Sequence, residues 1–345
     1  MSMFVRLRSF FARSTWPALL LALGGLAACQ SQHPSADTAI VPPVGHYRGS
    51  LGTGSSQLRA ALDIRHPRAG HYDAELTVAG APALSFVVDT LLLAGSQLRI
   101  VRPARPGQTL TLTLEGNFWR GTLAVDSASL PLILLRRGVP DPSSYRVEAM
   151  PQLKGKSWLF APTDTDTPGA ALALLPDAAT APTAALWADA LARAGVIVLL
   201  LPPSVDSARA ATEMPRLQAA LRQLRATPGV DTASLGVWAS GNRAVALVAA
   251  SPRLGFFIIQ NAVIDATTRP AFRELRNRKI AMLGLYGGPD ASLRAAQLRA
   301  AVGNRRGNLV RSYRATGPTL LSGEGLGVQF GPGLPGEVAD WVRSR

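Results

Sequence analysis

Ser240 is the residue through which this chain would do chemistry. It stands in Ala239-Ser240-Gly241-Asn242, a tight-turn signal between the apolar run Leu235–Trp238 and the alanine-rich stretch Ala244–Ala250. A serine at a sharp turn from strand into helix is the setting in which a hydroxyl is presented as a nucleophile. Asp290 follows the run Ile280–Tyr286 through Gly287-Gly288-Pro289, where an acid partner would be wanted. The same aspartate suits the cap of a helix over Ser292–Ala301, and both readings stand. A base is missing: the four histidines are His33, His46, His66 and His71, and none follows. Without a group of near-neutral pKa to take its proton, a serine hydroxyl is a poor nucleophile. Lysine offers no substitute, since Lys279 opens a strand at the end expected to lie away from the turn. His66 and His71, five apart across Pro-Arg-Ala-Gly, read as surface turn residues rather than a metal pair.

The elements that must position these residues follow from periodicity. Residues 152–345 alternate aliphatic runs such as Ala170–Leu175 and Val196–Leu201 with helical segments such as Thr183–Ala194 and Asp206–Arg225. That alternation predicts an α/β domain, a mostly parallel sheet flanked by helices. Residues 45–138 instead show short alternating runs, Leu58–Ile64 and Tyr72–Val78 among them, separated by turn clusters. They predict an all-β antiparallel domain, a sandwich or small barrel. Residues 139–151, with three prolines, read as the linker.

The N-terminus is a separate matter. Residues 1–28 carry Arg6, Arg8 and Arg13, then an apolar core from Trp16 to Leu26, and end Leu26-Ala27-Ala28 before Cys29. This is a cleaved signal peptide, too short in its core to span as a helix. Leu-Ala-Ala-Cys resembles the lipobox of bacterial lipoproteins, and the resemblance implies acylation of Cys29 and anchoring to a membrane of the cell envelope. Residues 29–44 read as a polar tether. Cys29 is the only cysteine, so no intramolecular disulfide can form.

From about Tyr145 onward the chain resembles the α/β-hydrolase family, in particular secreted peptidase- or esterase-like members with an N-terminal β module. The stretch Gly116-Asn117-Phe118-Trp119-Arg120-Gly121 resembles part of that module. The resemblance implies an α/β-hydrolase-like sheet with a serine nucleophile, an aspartate and a histidine. Laid on Asp231, Leu235 and Gly236 without a gap, the family's elbow pattern puts Ala239 at its first glycine, Gly241 at the nucleophile and Arg243 at its last glycine. A one-residue deletion instead makes Ser240 the nucleophile, flanked by Trp238 and Asn242. Steric reasoning favours Gly241, because the nucleophile position is strained in a way that glycine tolerates. The oxyanion turn departs too: Pro176-Asp177-Ala178 has no glycine, and Asp177 brings a negative charge.

The chain has 345 residues and a formal net charge of +14, which favours anionic partners. No basic run with interleaved aromatics points to nucleic acid, and no glycine-rich phosphate loop follows a strand, so no cofactor is expected. The expected function is a lipid-anchored envelope protein whose hydrolase-like domain has lost catalysis and acts by binding, with Ser240 and Asp290 vestigial. The expected partners are the membrane, through Cys29, and an unidentified anionic ligand or envelope polymer. An atypical serine hydrolase using Ser240, and a scaffold acting through the β domain, are the alternatives.

Overall fold

The computed structural model describes residues 43–345 apart from 55–56, 152–154, 204–208, 251–252, 304 and 324–326. The signal segment, Cys29, His33, Lys154 and nearly all of the tether lie outside the described residues. All described residues fall in one compact unit that begins at Ile40.

Alternating side chains build the first sheet. Its strands are β1 (Gly45–Leu51), β2 (Leu58–Arg68), β3 (His71–Val78), β4 (Phe86–Val88), β5 (Leu92–Ala94), β6 (Gln97–Val101), β7 (Gln108–Glu115), β8 (Phe118–Val125) and β9 (Ala128–Gly138). They are ordered β4-β3-β2-β1-β9-β8-β7-β6-β5, and every pairing is antiparallel. Leu62, Leu98, Leu112, Trp119 and Leu134 point inward and are fully buried. Their neighbours Arg99, Thr111 and Arg120 point out and are exposed, as the period of two requires. The β7–β8 hairpin closes through Gly116-Asn117, where Gly116 at φ +61° takes a backbone that favours glycine.

The second sheet is mixed. It contains β10 (Tyr145–Ala149), β11 (Trp158–Pro162), β12 (Gly169–Leu175), β13 (Ile197–Leu200), β14 (Val230–Ser240), β15 (Phe256–Gln260), β16 (Ala281–Gly287) and β17 (Leu309–Tyr313). The order is β10-β11-β13-β12-β14-β15-β16-β17. β10 and β11 run antiparallel to their neighbours, and the other pairings are parallel. The helices are α1 (Ala181–Arg193), α2 (Ala210–Arg225), α3 (Gly241–Ala250), α4 (Arg269–Asn277), α5 (Ala291–Val302) and α6 (Gly336–Arg343). A short ladder joins β18 (Leu321–Ser322) to β19 (Gln329–Phe330).

The fold class therefore differs from expectation. Among the described residues 41% are in strands against 25% in helices, and the larger sheet is a nine-stranded antiparallel half-barrel. The expected α/β class, with an α/β-hydrolase-like, helix-flanked parallel sheet as its organising element, is corrected to a mostly-β architecture. Residues 139–151 differ as well: they read as linker because of their prolines, yet they contain β10, which pairs antiparallel with β11. Nor do the first strands form a closed barrel or a two-sheet sandwich; they make one sheet around one core.

Polar side chains join the two sheets. Arg102, just after β6, makes a buried ion pair with Asp189 of α1, and also donates to the carbonyl of Ala83 (2.8 Å) and to Gln108 Oε1 (2.7 Å). Tyr145 donates its hydroxyl to Asp189 Oδ1 at 2.5 Å and accepts the Val87 N–H at 3.1 Å. Arg193 of α1 pairs with Glu75 of β3 at 2.5 Å.

Candidate functional site

The junction of β14 and α3 is the place to look for a nucleophile. Gly241, the first residue of α3, has φ +52°, so the left-handed position at the turn belongs to a glycine. Ser240 ends β14 and is 1% exposed. Its hydroxyl donates to Gln260 Oε1 at 3.1 Å, and the same oxygen accepts the Trp238 indole N–H at 2.9 Å. The hydroxyl is thus turned along the sheet toward β15 rather than into open space. A Cβ on Gly241 would lie 2.2 Å from Asp177 Oδ2. The carboxylate occupies the volume that a side chain at this turn would enter.

Asp177 is held there by its own turn. It follows β12, and its Oδ1 accepts from the Thr180 N–H (3.0 Å) and the Thr180 hydroxyl (2.8 Å). Its N–H donates back to Thr180 Oγ1 at 3.1 Å. This reciprocal pair satisfies backbone groups at the entry to α1, the usual task of Asp and Thr before a helix. An oxyanion turn would instead aim free N–H groups at developing negative charge.

The loop 317–320, where a base would be sought, is tied down by amides. Pro318 O accepts from Gln260 Nε2 (2.9 Å) and from Asn261 Nδ2, while Asn261 Oδ1 accepts the Gly287 N–H at 2.9 Å. Trp187 Nε1 donates to Thr319 O at 3.1 Å. Asp290 sits at the N-cap of α5 without a side-chain cap bond. It is exposed, and Arg294 lies 3.9 Å away. No hydrogen bond links Asp290 to Ser240 or Gly241 among the described residues.

Arg243 has become structural. It is 1% exposed, and its Nε and Nη2 donate to Glu213 Oε2 at 2.9 and 2.6 Å. Its Nη1 reaches Pro176 O (2.8 Å) and Pro202 O (3.0 Å), the chain just beyond β12 and β13. Burial pulls the guanidinium below its ordinary pKa, and the Glu213 charge works against that. Glu213 itself is fully buried in α2. Sequence reasoning passed over it, although the signal was there: Glu213 lies in register with Leu217, Leu221 and Leu224 on the apolar stripe of α2.

A different cluster has metal-like composition. His46 Nδ1 lies 2.7 Å from Asp63 Oδ1 and 3.9 Å from Asp141 Oδ2. Its Nε2 accepts from Arg48 Nε at 2.6 Å. Arginine can only donate, so the ring proton resides on Nδ1 and is given to Asp63. Asp63 also accepts the Asp141 N–H at 2.9 Å. Both ring nitrogens are committed and a cation stands at the free edge, so the geometry suits a hydrogen-bonded lock between β1, β2 and the following chain rather than a metal centre. His66 stacks on Tyr72, with ring centroids 4.3 Å apart.

A cavity of about 360 Å³ lies beyond the ends of β12 and β13. One wall is Val101–Pro106 from the first sheet, and the other is Pro176, Leu200, Leu201 and Pro202. Trp158, Lys156, Ala181, Ala184 and Pro203 also line it, and the lining is mostly apolar. Lys156 is exposed and makes no hydrogen bond or ion pair among the described residues. Crevices outside the carboxyl ends of parallel strands are where sheets of this kind take ligands. No protein-family model matches the chain, and no curated protein matches it.

Proposed function

We propose that this protein is a lipid-anchored envelope protein that works by binding a small ligand rather than by hydrolysis. The observation that carries the reading is the contact between Asp177 and Gly241. The position where a nucleophile would stand has no side chain, and a pinned carboxylate takes its space. The hydrogen bonding of Ser240 to Gln260 and the absence of any histidine after His71 support it further. The ligand site in this reading is the cavity beside Lys156. Arg102, also in the lining, is already paired with Asp189, so the apolar walls and the unpaired Lys156 fit a ligand with an apolar body and one anionic group. Anchoring through Cys29 follows from the lipobox-like Leu26-Ala27-Ala28-Cys29.

Two measurements on residues 30–345 test this. A fluorophosphonate probe should label neither the parent nor Ser240→Ala; labelling of the parent that the substitution abolishes would sink the proposal. Anilinonaphthalene sulfonate, an apolar anion, should bind with quenching of tryptophan emission, and Lys156→Glu should weaken it several-fold. Equal binding by both proteins would remove the cavity from the reading.

A further inference from the structure

Six large hydrophobic residues are exposed on the described surface, and three of them, Leu92 (58%), Phe118 (44%) and Ile133 (42%), belong to the first sheet. Strand register decides which face they share, because directly paired residues point to the same side. Leu92 pairs with Arg99, Arg99 with Thr111, and Thr111 with Thr122. Thr122 pairs with Pro131. One row lower, Ile133 pairs with Arg120 on one side and with Ser50 on the other, and Ser50 pairs with Arg59. In the next row Phe118 pairs with Leu135, and Leu135 with Arg48. The three hydrophobics and four arginines therefore lie on one face, opposite the core lined by Leu98, Leu112 and Leu134.

In these three rows Glu115, 3.4 Å from Arg120, is the acid, while Arg59 and Arg99 have no ion-pair partner among the described residues. Asp63 and Glu75, in the next row of the same face, are buried and already bonded to His46, Ser144 and Arg193. Scattered exposed apolar residues need no explanation; three of them in successive rows of one face, among four arginines, do. We propose that this face of the first sheet lies against an anionic phospholipid surface. Phe118, Ile133 and Leu92 enter the headgroup–acyl boundary, and the arginines meet the phosphates. The position of the face along the chain agrees. β1, which carries Arg48 and Ser50, starts after residues 30–44, so Cys29 is within roughly 50 Å of it even with the tether fully extended.

The orientation rests on the envelope-lipoprotein reading, but adhesion by the face does not need the anchor, so the two are tested separately. Residues 30–345, which contain the whole described unit and lack Cys29, are sedimented with vesicles of phosphatidylcholine alone or mixed with phosphatidylglycerol. The protein should bind only the mixed vesicles. Arg99→Glu/Arg120→Glu should weaken binding by about tenfold or more, since each arginine near an anionic surface is worth about 1 kcal/mol. Phe118→Ser/Ile133→Ser, which leaves the charge of the face unchanged, should weaken vesicle binding while leaving binding to soluble dextran sulfate unchanged. Arg222→Glu/Arg225→Glu, on α2, serves as the remote control and should bind like the parent. Circular dichroism checks that every variant is folded. Equal binding to both vesicle types, loss only in the α2 variant, or indifference to Phe118→Ser/Ile133→Ser would each overturn the proposal. Separately, acyl labelling of the full chain beside Cys29→Ala tests the anchor, and its failure leaves the vesicle result standing.

Discussion

Asp177 Oδ2 stands 2.2 Å from where the Cβ of residue 241 would be, so the two positions share one volume and only glycine fits beside the carboxylate. The relation joins the end of β12 to the start of α3 across the parallel pair β12–β14. It also joins two separate demands on residue 241, a left-handed backbone and no side chain.

Gly241→Ala should therefore be costly for two reasons. The positive φ alone costs roughly 1–2 kcal/mol for a residue with a Cβ, and the clash with Asp177 adds to it. Urea unfolding should show a loss above 2 kcal/mol. Gly241→Ala/Asp177→Ala should lose less than the sum of the two single changes, because the clash that Gly241→Ala creates disappears once the carboxylate is removed. Additivity would mean the residues do not share space.

The buried pair Glu213–Arg243 should behave asymmetrically. Glu213→Gln leaves a guanidinium uncompensated beside two proline carbonyls and should cost about 3–5 kcal/mol. Replacing both residues by leucine and methionine should recover most of that loss, since a packed apolar pair can equal a buried ion pair. Chemical denaturation of the single and double variants checks both statements.

At the junction of the sheets, Asp189 should matter more than its size implies. It accepts from both Arg102 and Tyr145, so Asp189→Ala strands a buried cation and a buried hydroxyl together. A loss of about 3–5 kcal/mol is expected, whereas Tyr145→Phe, which leaves the ion pair intact but strands the Val87 N–H, should lose less, about 1–3 kcal/mol. Protease susceptibility of the segment between β9 and β10 should rise in the first variant and not in the second.

Asp265 supplies a pH test. Hydrogen bonds from the Thr267 side chain and the Thr268 N–H, with further bonds from the same two residues, lower its pKa from 3.8 to about 2. The folded value lies below the unfolded one, so the turn it organises before α4 is fully stabilised above about pH 4. That stabilisation fades as the pH falls through 2. The Thr267 and Thr268 amide resonances should titrate with this low midpoint, and Asp265→Asn should abolish the transition.

Part of this site was legible in the sequence. The turn after Trp238 was visible because a short apolar run meets an alanine-rich helix there, and Arg243 stood out where a small residue was expected. The missing histidine needed only counting. The network around Gln260 and Asn261 was not legible, because its partners at Pro318 and Gly287 are brought in by strands distant in sequence. The prolines before β10 masked a strand. Long helices therefore weighed too heavily, and the strand content of the whole was underestimated.

The place of β1 has a consequence for the order of events during synthesis. It lies between β2 and β9, and Leu51 pairs with Leu132 about 80 residues later. As the chain emerges, β1–β3 can fold as a hairpin series, but the far edge of β1 stays open until β9 arrives. For that interval a strand edge carrying Tyr47 and Leu51, both buried in the finished protein, has unsatisfied backbone groups. A nascent chain in this state is a natural client for a holdase, and slow passage between residues 52 and 128 would prolong its exposure to aggregation.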